Sequence, residues 1–116
     1  MGMLRDTGNQ EIDIVKEMAE SLGSTGLKLD DILERAREAR LKAEVLIEQF
    51  KHGDARTDMP SLTLVNASIM EYNAWVEKAE DALRWLLIQR EACGFRTHRN
   101  VDLHYPIPPK IRLLSS

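Results

Sequence analysis

Two stretches of this chain step an apolar residue alternately three and four positions along, and few arrangements other than paired helices accommodate that pattern. In the first, Leu29, Ile32, Ala36, Ala39, Ala43, Leu46 and Phe50 keep the alternation throughout. In the second, Leu62, Val65, Ile69, Tyr72, Val76, Ala79, Leu83 and Leu86 repeat it. A mean step of about 3.5 residues holds all of these side chains on one helix face, as the a and d positions of a heptad. The middle members of the first seam are alanines, so a partner helix can approach closely there.

The first of these helices is expected from about Leu27 to His52, stopped by Gly53. A polar connection, Gly53-Asp54-Ala55-Arg56-Thr57-Asp58, leads to the second, with Asp58 or Ser61 as its cap and Pro60 tolerated in a first turn. That helix runs to Cys93, with Gly94 beyond it. Two seamed helices joined by a short loop form an antiparallel hairpin. At 1.5 Å per residue they would span roughly 39 Å and roughly 52 Å, leaving a surplus on the second. A shorter helix precedes them: Ile12, Val15, Met18, Ala19 and Leu22 share a face, Asn9 can cap it, and Gly23 can end it. Gly23-Ser24-Thr25-Gly26 then reads as a turn, and the short helix is expected to fold back near residues 84–93. The expected class is all-α, a short N-terminal helix plus a long helical hairpin.

One segment departs from amphipathicity. Ala82, Leu83, Trp85, Leu86, Leu87 and Ile88 point in nearly all directions around their helix, and such a helix is normally buried on every side. Three helices leave one flank wet, and a chain of 116 residues has little surface to spare for burial. A homodimer with Leu83, Trp85, Leu86, Leu87 and Ile88 at the interface is therefore expected.

Charge divides the chain in two. Residues 1–93 carry 12 basic and 18 acidic side chains, whereas residues 94–116 carry four basic ones and Asp102 alone. The domain division expected is a helical body, 1–94, and a basic tail, 95–116. Val101, Leu103, Tyr105 and Ile107 alternate with Asp102, His104 and Pro106, and Pro108 and Pro109 follow, so the tail reads as an extended arm. Arg99, Lys110 and Arg112 suit it to an acidic partner surface, including the body of a neighbouring copy. A net charge of −3 argues against a chain dedicated to coating nucleic acid, leaving paired basic tails as the lesser route to such binding. No apolar run of membrane-spanning length occurs, and the start carries an early acid, Asp6, in place of a signal core. Asp6 also stands where myristoylation of Gly2 would want Ser or Thr. A cytoplasmic protein with Cys93 reduced is the expectation.

Residues that could carry chemistry are few. Glu17 with Glu20, and Glu77 with Glu80 and Asp81, resemble half of the Mg²⁺-holding pattern of MazG-like nucleotide pyrophosphatases. Their second element, ExxD, occurs nowhere in the chain, and Lys16, Lys78 and Arg84 offer ordinary helix-surface pairing. Glu48 and His52 are spaced by four and unrepeated, short of a di-iron pattern. One cysteine excludes a multi-cysteine metal site, and its place at a helix C-terminus is the wrong pole for thiolate activation. Arg35, Arg37, Arg40 and Lys42 interleave with Glu34, Glu38 and Glu44 as a mixed solvated face. No metal or cofactor is expected.

The segment Arg99-Asn100-Val101-Asp102-Leu103-His104 matches the pattern R-N-x-x-x-H, with Tyr105 following, and so resembles the HEPN family over six or seven residues. The resemblance implies a small dimeric helical bundle acting as a metal-independent RNase. Arg99 would stabilise phosphate charge and His104 would transfer a proton. The family carries this motif on a helix, whereas Pro106, Pro108 and Pro109 follow immediately here. The reading that takes most of the sequence into account is non-enzymatic: a self-associating helical hairpin acting as an interaction, assembly or inhibitor module through its surface and its arm.

Overall fold

The heptad seams meet as expected, in an antiparallel pair of long helices. The structure, a computed structural model, describes residues 2–53 and 59–115, without the side chains of residues 2–15 and 18. Helix α1 spans Gly2–His52, α2 spans Leu62–Ala92, and a short α3 spans Arg99–His104. No strand occurs among the described residues. Leu29, Ile32, Ala36, Ala39 and Ala43 of α1 are buried against Val65, Ile69, Tyr72, Val76, Ala79 and Leu86 of α2. The core is a line running along the hairpin, and its middle is narrow because the alanines face Tyr72 and Val76 there.

The expected turn at Gly23–Gly26 does not form; α1 passes straight through it. Leu22, Leu29, Ala36, Ala43 and Phe50 are each seven residues apart, so the seam keeps its phase across the two glycines. A helix tolerates a glycine at about 1 kcal/mol when tertiary packing offsets the loss. Packing does so here. The Thr25 hydroxyl donates to Gln89 Oε1 at 2.7 Å, and Gln89 Nε2 reaches Ser21 Oγ at 3.3 Å. The separate short helix folded back over α2 is thereby corrected: residues 12–22 continue α1, and of them Ser21 and Leu22 meet the end of α2. The expected length order reverses too, with 51 residues in α1 against 31 in α2. At about 1.5 Å per residue the surplus of α1 is some 30 Å.

The ends of α2 follow their local chemistry. Ser61 caps its start by accepting a hydrogen bond from the Leu64 amide at 3.1 Å, with Pro60 outside the helix; Asp58 lies outside the described residues. Gly94 takes φ +96°, a left-handed conformation that glycine adopts without Cβ strain. That lets the Phe95 amide reach the Arg90 carbonyl and the Gly94 amide reach that of Glu91, both at 3.0 Å. The two bonds are the Schellman pair that closes a helix C-terminus. The Arg90 guanidinium lies over the Phe95 ring at 4.4 Å.

After α3 the chain turns back and runs in extended form along the hairpin toward its loop end. The molecule measures 83 × 20 × 19 Å, with a radius of gyration of 21.5 Å. A globule of this length would have roughly 13 Å. No described helix is long and apolar enough to cross a membrane.

Candidate functional site

The hairpin presents two long grooves, one on each flank of the α1–α2 contact, and the C-terminal arm fills one of them. Asn66 and Asn73 hold it. Asn73 Nδ2 donates to the Ile111 carbonyl at 2.8 Å, while the Ile111 amide donates to Asn73 Oδ1 at 2.9 Å. Asn66 makes the same double bond with Leu114, at 2.9 and 2.8 Å. Each carboxamide thus satisfies both main-chain groups of one arm residue, as a strand edge would.

The spacing explains the register. Seven helical residues rise about 10.5 Å. Three extended residues, from Ile111 to Leu114, cover about 10 Å. A third tie comes from Tyr72, which is fully buried and donates its hydroxyl to the Pro109 carbonyl at 2.7 Å. Burial raises the Tyr72 pKa above its ordinary 10.0, so the hydroxyl remains a donor.

Apolar side chains seat the arm between these bonds. Val101 is buried, and Tyr105 and Ile107 pack beside it on the cluster of Leu29, Ile32, Ala79 and Leu86. Ile107 and Ile111 pack on Ala36, Tyr72 and Val76, and Ile111 and Leu114 on Ala43, Val65 and Ile69. Gly26 lies against the hydroxyl end of Tyr105, where a Cβ would stand 2.6 Å from the phenol oxygen. Burial first, and the Asp30 carboxylate second, raise the Tyr105 pKa. Lys110 Nζ meets Glu77 Oε1 at 2.7 Å, and that hydrogen bond raises the lysine pKa.

The arm departs from its sequence-based description at its start. Residues 99–104 are helical, so Val101 and Leu103 do not share an edge: Val101 is buried and Leu103 is 73% exposed. Period two was a chance pattern there, because the prolines that forbid helix begin only at Pro106. Tyr105 is the C-cap of α3, and Ile107, Lys110 and Arg112 lie beyond it, with Arg112 exposed.

Arg99 and His104 both fall on α3, five residues and therefore about 140° apart around the helix, so they share no face within one chain. His104 stands edge-on to Tyr105, with ring centroids 4.6 Å apart, beside a recess lined by Asp30, Glu34, Arg37 and Arg40. Arg40 pairs with Glu44 at 2.8 Å and Arg37 with Glu34, which leaves these cations compensated.

Of the residues expected at a dimer interface, Leu86 is buried inside the hairpin, and Leu83 and Leu87 are half-buried against the same cluster. Trp85 and Ile88 are left at the surface, 56% and 48% exposed. Trp85 borders the second groove, which no part of the described chain covers. This opening of about 590 Å³ is lined by Ile32, Ala82 and Trp85 together with Lys28, Lys78 and Asp81. Lys78 also stacks over Trp75, 4.4 Å from the ring centroid.

No cluster of three or more metal-ligating side chains exists among the described residues. Glu77 is engaged by Lys110 and Asp81 by Arg84. Cys93 is free, half-buried and at the cap of α2.

Sequence reasoning passed over Asn66 and Asn73. Their signal was present: two carboxamides in heptad register beside an apolar seam, and an arm with apolar residues at 107, 111 and 114. Comparisons of the chain with family models, with curated proteins and with solved structures returned no significant match.

Proposed function

We propose that this chain is a non-enzymatic helical-hairpin protein that self-associates and works through its surface, as an interaction, assembly or inhibitor module. One observation carries the reading. The arm closes one flank of the hairpin, while the other remains open with Trp85 beside Ile32 and Ala82. Exposed apolar surface of this kind, rimmed by charged residues, is characteristic of association sites. Mass measurement in solution tests it: a dimer is expected at micromolar concentration. Trp85→Glu should shift the mass to that of the monomer while the helical circular dichroism is retained. A monomeric mass for the unaltered chain removes the reading.

A second reading, a metal-independent RNase, keeps one specific support: the Arg99–His104 motif stands on a helix, as the HEPN pattern requires. It expects cleavage of single-stranded RNA in the presence of a chelator and loss of that cleavage in His104→Ala. Cleavage that is absent, or unchanged in the variant, eliminates it.

A further inference from the structure

We propose that the open groove beside Trp85 takes residues 9–20 of α1 from a second copy of the chain, and that the second copy's groove takes the same segment in return. The proposal rests on the self-association reading and names the segment that carries it. Its basis is the continuity of α1. Gln89 meets Ser21 and Thr25, and α2 stops three residues later at Ala92. The hairpin therefore ends level with about residue 20 of α1. Residues 2–17 run on as helix for about 24 Å beyond that end. The apolar register runs on with them: Val15 lies seven residues before Leu22, and Ile12, Met18 and Ala19 share its face. A lone helix with one apolar stripe is marginal in water until the stripe packs against another element.

Groove and stripe match each other but cannot meet within one chain. Ser24, Thr25, Lys28 and Ile32 form one wall of the groove, and they belong to the same unbroken helix as the stripe. A continuous helix cannot fold back onto its own side, so the segment has to come from a second copy. The lengths agree. Ile12 to Ala19 covers about 10.5 Å of helix axis, as does the opposite wall from Lys78 to Trp85. Ile32, Ala82 and Trp85 supply apolar surface there, and the exposed Ile88 extends it toward the end of α2. Charge agrees as well. Residues 9–20 carry Glu11, Asp13, Glu17 and Glu20 against Lys16 alone. Lys28 and Lys78 stand exposed at the groove, while Asp81 is paired with Arg84. Two copies related by a twofold axis at this end of the hairpin make the contact twice.

Two variants of the full chain and their mixture test the docking. Val15→Glu sets a carboxylate on the stripe, beyond the end of α2, so the hairpin should still unfold cooperatively. The dimer dissociation constant should rise about a hundredfold or more, because each of the two contacts then buries an unpaired charge. Ile12→Glu, about one turn further from the hairpin, should act in the same way. Trp85→Glu damages the groove instead. In a mixed dimer, the segment of the Trp85→Glu chain meets the groove of the Val15→Glu chain, and that one contact is intact. An equimolar mixture should therefore show dimer mass at concentrations where each variant alone is monomeric. A mixture that stays monomeric overturns the docking, since that is the outcome of stripe pairing with stripe or groove with groove. A dissociation constant unchanged by Val15→Glu and Ile12→Glu also overturns it, and leaves self-association through Trp85 standing. A monomeric mass for the unaltered chain overturns both.

Discussion

At the scale of single residues, Gly23 and Gly26 show why the same amino acid has two meanings in one helix. Nothing lies within 4 Å of a Cβ built on Gly23, whereas the phenol oxygen of Tyr105 lies 2.6 Å from one built on Gly26. Gly23→Ala should therefore stabilise the chain by about 0.5–1 kcal/mol, through helix propensity alone. Gly26→Ala gains the same propensity and loses the seat of Tyr105. Urea denaturation should show the first variant more stable than the parent and the second no more stable than it. Equal gains at both positions would mean that Tyr105 does not press on α1. Tyr72 gives a residue-scale test against pH. Its pKa is raised by burial, so the folded chain retains the phenol proton above pH 10, where an unfolded chain releases it. Its contribution is complete below about pH 10 and falls as the pH rises through the higher folded value. Tyr72→Phe should cost about 1 kcal/mol at neutral pH by losing the bond to Pro109. It should also flatten the alkaline fall in melting temperature.

At the scale of elements, the arm is the third member of a packing that two helices leave incomplete. It contributes Val101, Tyr105, Ile107, Ile111 and Leu114 to the three apolar clusters in turn. A seam with three alanines buries little area on its own, and Tyr72 needs an acceptor for its hydroxyl. Deleting residues 105–116 should thus lower the melting temperature by several degrees per kcal/mol of lost contact, while far-ultraviolet helicity stays near that of the parent. An unchanged melting temperature would place the arm outside the core. The caps behave differently from the arm, because their bonding is local. Ser61 and Gly94 end α2 through partners within five residues, and they could be read directly from the chain.

At the scale of the whole molecule, the sequence by itself determined an antiparallel pair of long helices, the residues that face each other across it, and the C-terminal stop of α2, with Ser61 one of two caps offered for its start. Those features depend on periodicity and on side chains acting within one or two turns, which a linear pattern records. The continuity of α1 was also written there, in the unbroken seven-residue spacing from Leu22 to Phe50, but local turn chemistry at Gly23–Gly26 pointed the other way. Only the tertiary structure decided between them, because the bonds from Ser21 and Thr25 to Gln89, and the contact of Gly26 with Tyr105, join residues more than sixty positions apart. It likewise decided that residues 99–104 are helical and that Leu86 is interior while Trp85 is exposed. The arm's place came from the same source. A carboxamide at Asn66 or Asn73 becomes a main-chain receptor when another segment runs past it at the matching rise, and that match exists only once helix and arm are side by side.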